Sequence, residues 1–485
     1  MVLKIMTWKE AWFGNIRGDI LAGIVVALAL IPEAIAFSLI AGVDPMVGLY
    51  ASFSIAVIIS FVGGRPGMIS AATGAMALAM VLLVKEHGLQ YLFAATILTG
   101  VLQVLWGVLK IARFMKFIPR AVMMGFVNAL AILIFSAQVQ YIFGISGMTY
   151  VVVLASLAVI YLFPFITKAV PAPLVAILAL TAVVLLFGID VQNVGNLGTI
   201  TQSLPTFLIP DVAFSFETLK IIFPTALAMS IIGLLESLLT ASIIDDITET
   251  GSDKNKEARG QGIANIITGF FGGMAGCAMI GQSGINVRSG GRGRLSAFTS
   301  GVFLMCLIVF LGEWVVLIPM PVLAAIMVMV SIGTFDWSSF SYLKKAPRAD
   351  ALVMVVTVLI VVLTGDLSKG VLAGVILSAV FFTAKISKIE VKKKVFPDSL
   401  QNIYTIHGQL FFASVQDFTK EFDDVQIGSR IIIDFTEARI WDDSGAGAID
   451  RLIAKLTQKQ VDFELTGLDA SSIRLLDSLS IPYAK

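Results

Sequence analysis

The feature that most constrains this chain is the recurrence of span-length apolar runs. A helix crossing the hydrocarbon of a bilayer needs about 20 mostly apolar residues. Runs of that character stand at 18–41, 44–62, 68–84, 89–109, 117–137, 149–166, 171–188, 220–244, 260–275, 279–287, 295–312, 317–333, 350–366 and 370–386. Of the 485 residues, 57% are hydrophobic and only 14% charged, and the mean hydropathy is +0.92. Soluble chains carry roughly 25% charged residues, so most of this chain must sit in a medium that penalises charge. The expectation is a polytopic α-helical membrane protein with fourteen spans.

Composition excludes several functions. Lys+Arg 34 against Asp+Glu 33 leaves a net charge of +1, so no nucleic acid is expected as a partner. Cys277 and Cys306 lie in apolar stretches, and His87 and His407 lie far apart in the chain. A disulfide framework, a metal centre and histidine catalysis are therefore not expected, nor is a cofactor. No nucleophile–base pair stands out, which argues against an enzyme. Met1–Arg17 is polar and leads straight into a span-length run, so a cleaved leader is not expected.

Basic residues set the topology, because cytoplasmic loops retain Lys and Arg. With the N-terminus inside, twenty fall on the cytoplasmic side, among them Arg65, Arg113, Lys116 and Lys168. Only Lys85, Lys220 and Lys369 fall outside. Fourteen spans with both termini cytoplasmic satisfy this bias.

The stretch at 60–74 reads against 269–283 at an offset of 209, with Phe61, Gly63, Gly64 and Gly67 matching Phe270, Gly272, Gly273 and Gly276. Each match leads into the short, glycine-interrupted segment that is third of seven in its half. Seven is odd, so the second half enters the membrane inverted, and broken helices in inverted repeats point to a binding site. A helix beginning mid-membrane exposes unpaired N–H groups and the positive end of its dipole. Two such ends facing each other would cradle an anion, with Ala72, Thr73 and Gly74 on one lip and Gly281, Gln282 and Ser283 on the other. The plainer reading is glycine serving close helix packing.

Two acids sit inside spans, Glu33 in the first and Glu236 in the eighth, the first span of each half. A carboxylate at that depth costs several kcal/mol unless paired, hydrated or protonated. Either acid could carry a proton in with an anion, or could simply bond a neighbouring helix. Glu236 with Thr240, one turn later, could instead ligate sodium, so spacing alone does not choose the coupling ion. Phe37, one turn after Glu33, could shape the substrate cavity or face lipid. Asp245 and Asp246 read as solvated helix-end acids, Asn286 as a helix cap or a site residue, and Arg288, Arg292 and Arg294 as part of the cytoplasmic positive bias.

These residues resemble the SulP anion permeases, whose animal relatives include prestin and pendrin. The resemblance rests on N-I-R-G-D-I-L-A-G (15–23), I-P-E-A-I-A-F (31–37), D-P-x-x-G-L-Y-A-S-F (44–53) and the block at 64–76. It continues through E-S-L-L-T-A (236–241), I-P-M-P-V-L-A-A-I-M-V (318–328) and F-D-W (335–337). It implies fourteen spans in two inverted sevens, anion binding between the third and tenth helices, and elevator-like motion of a core against a gate. Glu33, Phe37, Thr73 and Glu236 match its site positions, and Thr240 matches a sodium-site position in bicarbonate-transporting relatives. Many members place Ser-Arg where this chain has Gly281-Gln282. The missing fixed charge favours symport, because a divalent anion beside two carboxylates needs a co-transported cation. Homodimers are usual for the resemblance, although no residue here argues for one.

Composition changes after Lys394: residues 1–394 form the expected transporter domain and 395–485 a small cytoplasmic α/β domain. Strand-like I-Y-T-I, Q-L-F-F-A and R-I-I-I-D-F alternate with helical S-G-A-G-A-I-D-R-L-I-A-K-L. This tail resembles a STAS domain, which implies a protein partner and a regulatory phosphate acceptor at Ser444, unless Ser444 is only a helix cap. The sequence therefore predicts a plasma-membrane symporter of a small inorganic anion, sulfate by default, coupled to protons through Glu33 or Glu236. Sodium-coupled bicarbonate or dicarboxylate uptake is the neighbouring alternative. A membrane sensor signalling through its STAS tail is the alternative of another class, and an ion channel fits broken helices less well.

Overall fold

Strand β1 (Lys4–Ile5) precedes α1 (Trp8–Phe13), α2 (Ile16–Ala41) and α3 (Pro45–Val62) in a computed structural model that describes residues 4–110, 118–167, 171–196, 201–395, 401–426 and 429–483. Arg113, Lys116 and Lys168 fall outside the described residues. There follow β2 (Ser70–Ala72), α4 (Gly74–His87), α5 (Leu89–Val108), α6 (Arg120–Ile142), α7 (Gly147–Leu162) and α8 (Ala172–Leu186). The next elements are α9 (Phe216–Thr248), β3 (Thr250–Gly251), α10 (Lys254–Phe270), β4 (Gly276–Ala278), α11 (Ile280–Arg288) and α12 (Arg294–Val316). Then come α13 (Met320–Thr334), α14 (Ser339–Lys345), α15 (Arg348–Thr364) and α16 (Leu367–Ile386). Helices thus lie over every apolar window of the sequence. Among the described residues nine helices are long and apolar enough to cross a membrane. The nine count α7 with its continuation to Phe165 and α13 together with α14, whereas α4, α8, α10, α11 and α15 are shorter, at 14, 15, 17, 9 and 17 residues.

Local chemistry explains the boundaries. Asp44 caps α3 by accepting from the Met46 N–H, with Pro45 preset in the first turn, and Ser215 caps α9 in the same way. Between α5 and α10 the backbones touch: a Cβ on Gly100 would stand 2.4 Å from the Gly262 carbonyl oxygen, and one on Gly262 would stand 2.5 Å from that of Gly100. Where lipid is as apolar as the side chains, such small-residue contacts supply the packing energy.

The two short strands β2 and β4 pair antiparallel, Ser70 opposite Ala278 and Ala72 opposite Gly276, each leading directly into a helix. The strand–helix junctions equate Thr73 with Met279, an offset of 206 (279 against 73) rather than 209. Gly63, Gly64 and Gly67 all lie in the seven-residue connection before β2 (63–69), whereas Gly272 and Gly273 lie in a five-residue one (271–275) and Gly276 already begins β4, so an ungapped alignment slips.

The chain divides into two compact units, residues 1–375 and 376–485. In the second, β5 (Glu390–Val395), β6 (Gln401–Leu410), β7 (Arg430–Ile440) and β8 (Asp462–Thr466) form one sheet in that order. β5 is antiparallel to β6, and the other pairs are parallel. The unit also holds α17 (Val415–Lys420), α18 (Asp443–Gln458) and α19 (Ala470–Ser478). Its core joins Ile431, Ile433 and Phe435 of β7 to Phe418 of α17, Phe422 just after it, and Ile449, Leu452 and Leu456 of α18. Two of the expected strand runs, I-Y-T-I and Q-L, merge into β6, whereas Phe411–Ala413 forms a turn; β8 carries too few apolar residues to stand out in sequence.

Candidate functional site

Glu33 is carried by α2, directly after Pro32, and only 8% of it is exposed. Its Oε1 accepts a 2.6 Å hydrogen bond from Nε2 of Gln282, the third residue of α11. One turn along α2, the buried ring of Phe37 lies against the start of α4; a Cβ on Gly74 would stand 2.9 Å from a ring carbon. Glu33, Phe37, Gly74 and Gln282 therefore meet although they come from three elements.

The two helix starts differ. Thr73 caps α4, its hydroxyl accepting from the Met76 N–H at 3.4 Å. α11 has no side-chain cap, so all of its first-turn N–H groups are left to other acceptors, whereas in α4 Thr73 takes that of Met76. A methyl group added at Gly281 would meet nothing within 4 Å, so open space borders that turn. Ala72 and Ser283 hold backbone instead. Ala72 pairs with Gly276, and the Ser283 hydroxyl accepts from the Ile69 N–H at 2.9 Å. Asn286 neither caps α11 nor faces that turn: its Nδ2 donates to the Gly67 carbonyl and to Ser296 Oγ.

Glu236 on α9 accepts a hydrogen bond at Oε2 from the Cys277 thiol, 2.9 Å away. The same sulfur lies 3.1 Å from Thr73 Oγ1. Cys277, passed over in the sequence as part of an apolar stretch, therefore stands between an intramembrane acid and a helix cap. Thr240 donates its hydroxyl to the backbone carbonyl of Glu236 at 2.7 Å, which uses its one donor and leaves the two oxygen lone pairs to accept a donor or a cation. Among the described residues no three His, Cys, Asp or Glu side chains group as a metal site.

An amide clamp fixes β4. Asn265 Oδ1 accepts from the Gly276 N–H at 2.9 Å, its Nδ2 donates to the Gly276 carbonyl at 3.0 Å, and Gln261 Nε2 donates there at 3.1 Å. Asn265 thus replaces the missing neighbour strand on the open edge of β4. Both amides lie inside an apolar window, the signal by which they could have been singled out.

Charges read from sequence as solvated or merely topological are built into the structure. Asp245 is 8% exposed and pairs with Arg65 Nε at 3.0 Å and Lys254 Nζ at 2.7 Å. It is not a solvated helix-end acid, because the 63–69 connection folds Arg65 under α9. Buried Arg294 donates to the carbonyls of Ser60 and Gly63 and so ties off the end of α3. Asp19 accepts from the backbone N–H groups of Arg292 and Gly293.

In the second unit Ser444 is exposed and is the second residue of α18. The cap is Asp442, whose Oδ1 accepts from the Gly445 N–H at 2.8 Å while Oδ2 accepts from the Phe412 N–H at 3.0 Å. The carboxylate accepts at both oxygens and links two segments, which a serine hydroxyl at that place would not.

The model of the Sulfate permease family matches residues 16–158 and 147–357, and that of the STAS domain matches residues 391–482. "Putative sulfate transporter YbaR" of Bacillus subtilis is 63% identical over 474 residues, covering 98% of this chain and 99% of that protein. The solved transmembrane domain of a cyanobacterium bicarbonate transporter, BicA, is 25% identical with a TM-score of 0.67, covering 76% of this chain and 99% of that one. Murine Slc26a9, an anion transporter solved in the inward-facing state, shares the fold at a TM-score of 0.84 and 18% identity, over 96% of this chain and 88% of that one. The chain belongs to the sulfate permease family, as a membrane anion transporter with a STAS domain rather than an enzyme.

Proposed function

We propose that this chain is a proton-coupled sulfate symporter of the plasma membrane, with both termini cytoplasmic, working by an elevator motion. The observation that carries this reading is the buried Glu33 carboxylate held by Gln282 at the uncapped start of α11. The anion would lie between the starts of α4 and α11, on those of their first-turn N–H groups that no side chain takes, beside Phe37, Thr73, Gly74 and Gly281. A divalent anion there meets a carboxylate and no arginine, so it enters only with a cation that neutralises the acid. A proton on Glu33 does this without a metal-ligand cluster.

The β2–α4 and β4–α11 units occupy the same place in the element order of the two halves, each after two helices (α2 and α3, α9 and α10), which supports fourteen spans in two inverted sevens. The transporter would work as a homodimer. Its STAS domain would serve as a regulatory contact for a protein partner, with exposed Ser444 as phosphate acceptor.

Sodium-coupled bicarbonate uptake is the second reading, favoured by the match to the BicA membrane domain. Glu236 and Thr240 would then hold sodium. Labelled sulfate uptake into proteoliposomes decides between them. Stimulation by an inward proton gradient supports sulfate symport. No sulfate uptake by folded protein, together with sodium-driven bicarbonate uptake, would replace the first reading by the second.

A further inference from the structure

A carboxylate only accepts hydrogen bonds, so a side-chain amide beside it must present its N–H end. Gln282 does so toward Glu33, and its own Oε1 is left buried with no hydrogen-bond partner among the described residues. Gln282 is 3% exposed. A buried acceptor without a donor is costly, and one kept in a folded protein calls for a reason. Here the orphaned oxygen belongs to a residue in the first turn of α11, whose N–H groups no side chain caps and whose Gly281 borders open space. In this arrangement two acceptors, Glu33 and Gln282 Oε1, stand where an anion would need donors.

We propose that Gln282 is the proton-set specificity element of the transporter, its amide turning over when Glu33 takes up a proton. The inference rests on the reading of Glu33 as the proton carrier. The proton comes from the aqueous side and resides on the Glu33 carboxyl; no other bond is made or broken. The resulting acid carries an O–H donor, which Gln282 can satisfy only with Oε1. The terminal amide torsion is broad and roughly two-fold, so the two orientations need no movement of backbone. Turning the amide brings two N–H donors to the place where the unpaired oxygen stood. A protonated Glu33 thus creates an anion ligand, and a deprotonated Glu33 removes it. Glu33 and Gln282 together do what a fixed arginine cannot: they bind the anion only when the proton is aboard.

Other charges do not interfere with this pair. The titratable groups on elements packed against α2 are Tyr50 on α3, Lys85, Glu86 and His87 at the far end of α4, Arg288 ending α11, and Arg294, Cys306 and Glu313 on α12. Arg17 and Asp19 lie on the first turn of α2 itself. None of these forms a hydrogen bond or ion pair with Glu33, whose partner is Gln282.

Two experiments on the full chain test this. Infrared difference spectra between alkaline and acidic buffer, without any transported anion, should show a carboxylic acid band absent in Glu33→Gln. A glutamine amide carbonyl band should shift with it and be absent in Gln282→Leu. An acid band with no accompanying amide band would overturn the inference whatever the substrate proves to be. Sulfate uptake is the second test. Wild-type KM should rise about tenfold from acidic to alkaline buffer, the scale of one hydrogen bond to a charged group. That dependence should vanish in Gln282→Arg, whose charge is fixed, with KM low throughout. If wild type takes up sulfate with the proton gradient and Gln282→Leu keeps its KM and pH dependence, sulfate symport stands and the role of Gln282 falls. If wild type takes up no sulfate, the functional reading falls and the infrared result alone decides the inference.

Discussion

The thiol of Cys277 donates a hydrogen bond to Oε2 of Glu236 across 2.9 Å, joining β4 to the middle of α9. Because the same sulfur lies 3.1 Å from Thr73 Oγ1, the α9 acid is connected through one atom to the cap of α4. The broken segments are thus tied to each other by backbone pairing and to the two acids by Gln282 and Cys277.

Loss of that link should weaken transport more than folding. Cys277→Ser keeps a donor and should retain uptake within about twofold, whereas Cys277→Ala should lower it by about tenfold, the scale of one hydrogen bond to a charged group. Initial rates of labelled-anion uptake at matched protein amounts check this. Equal rates for Ala and Ser would show the thiol to be packing only.

Glycine positions separate structural from permissive space. A Cβ on Gly276 would stand 2.1 Å from the Ala71 carbonyl oxygen, across the β2–β4 pair. Gly276→Ala should therefore abolish recovery of monodisperse protein. Gly281→Ala has open space around it and gains up to about 1 kcal/mol of helix propensity, so its melting temperature should not fall. Size-exclusion profiles and melting curves of the two variants test the contrast.

The Arg65–Asp245 pair is buried, with side chains 1% and 11% exposed. Removing one partner of such a pair strands the other, at a cost of about 3–5 kcal/mol. Asp245→Asn, which strands Arg65, should melt well below wild type, and Arg65→Ala, which leaves Asp245 its Lys254 partner, should melt less far below it. Thermal unfolding in detergent measures both. Loss of less than about 1 kcal/mol would mean that the pair is solvated, as exposed pairs are.

In the STAS domain, Asp442→Ala should cost about 1 kcal/mol through the lost cap of α18, with a further loss from the Phe412 N–H it also binds. Ser444→Ala should leave stability unchanged, because the exposed serine bears no cap. Melting curves of the full chain distinguish them. If Ser444→Ala proves the more damaging, the cap has been misassigned.

What the sequence alone determined is whatever the bilayer imposes locally. A helix lies over each apolar run, because every backbone polar group in hydrocarbon must be paired within its own segment. Glu33 and Glu236 stood out because charge is rare at that depth, and the two short segments because glycine interrupts them. The tertiary structure decided which residues meet. Gln282 reaches Glu33 across 249 positions, Cys277 reaches Glu236 across 41, and Arg294 reaches Gly63 across 231. No periodicity marks such pairs, since a thiol or an amide in an apolar run looks like filler until the element opposite it is known. The repeat offset slipped for a related reason: strand pairing, not residue identity, sets the register of β2 on β4. Asn265 is the plainest case, an amide in an apolar window that becomes the missing edge of a sheet only once β4 is folded against it.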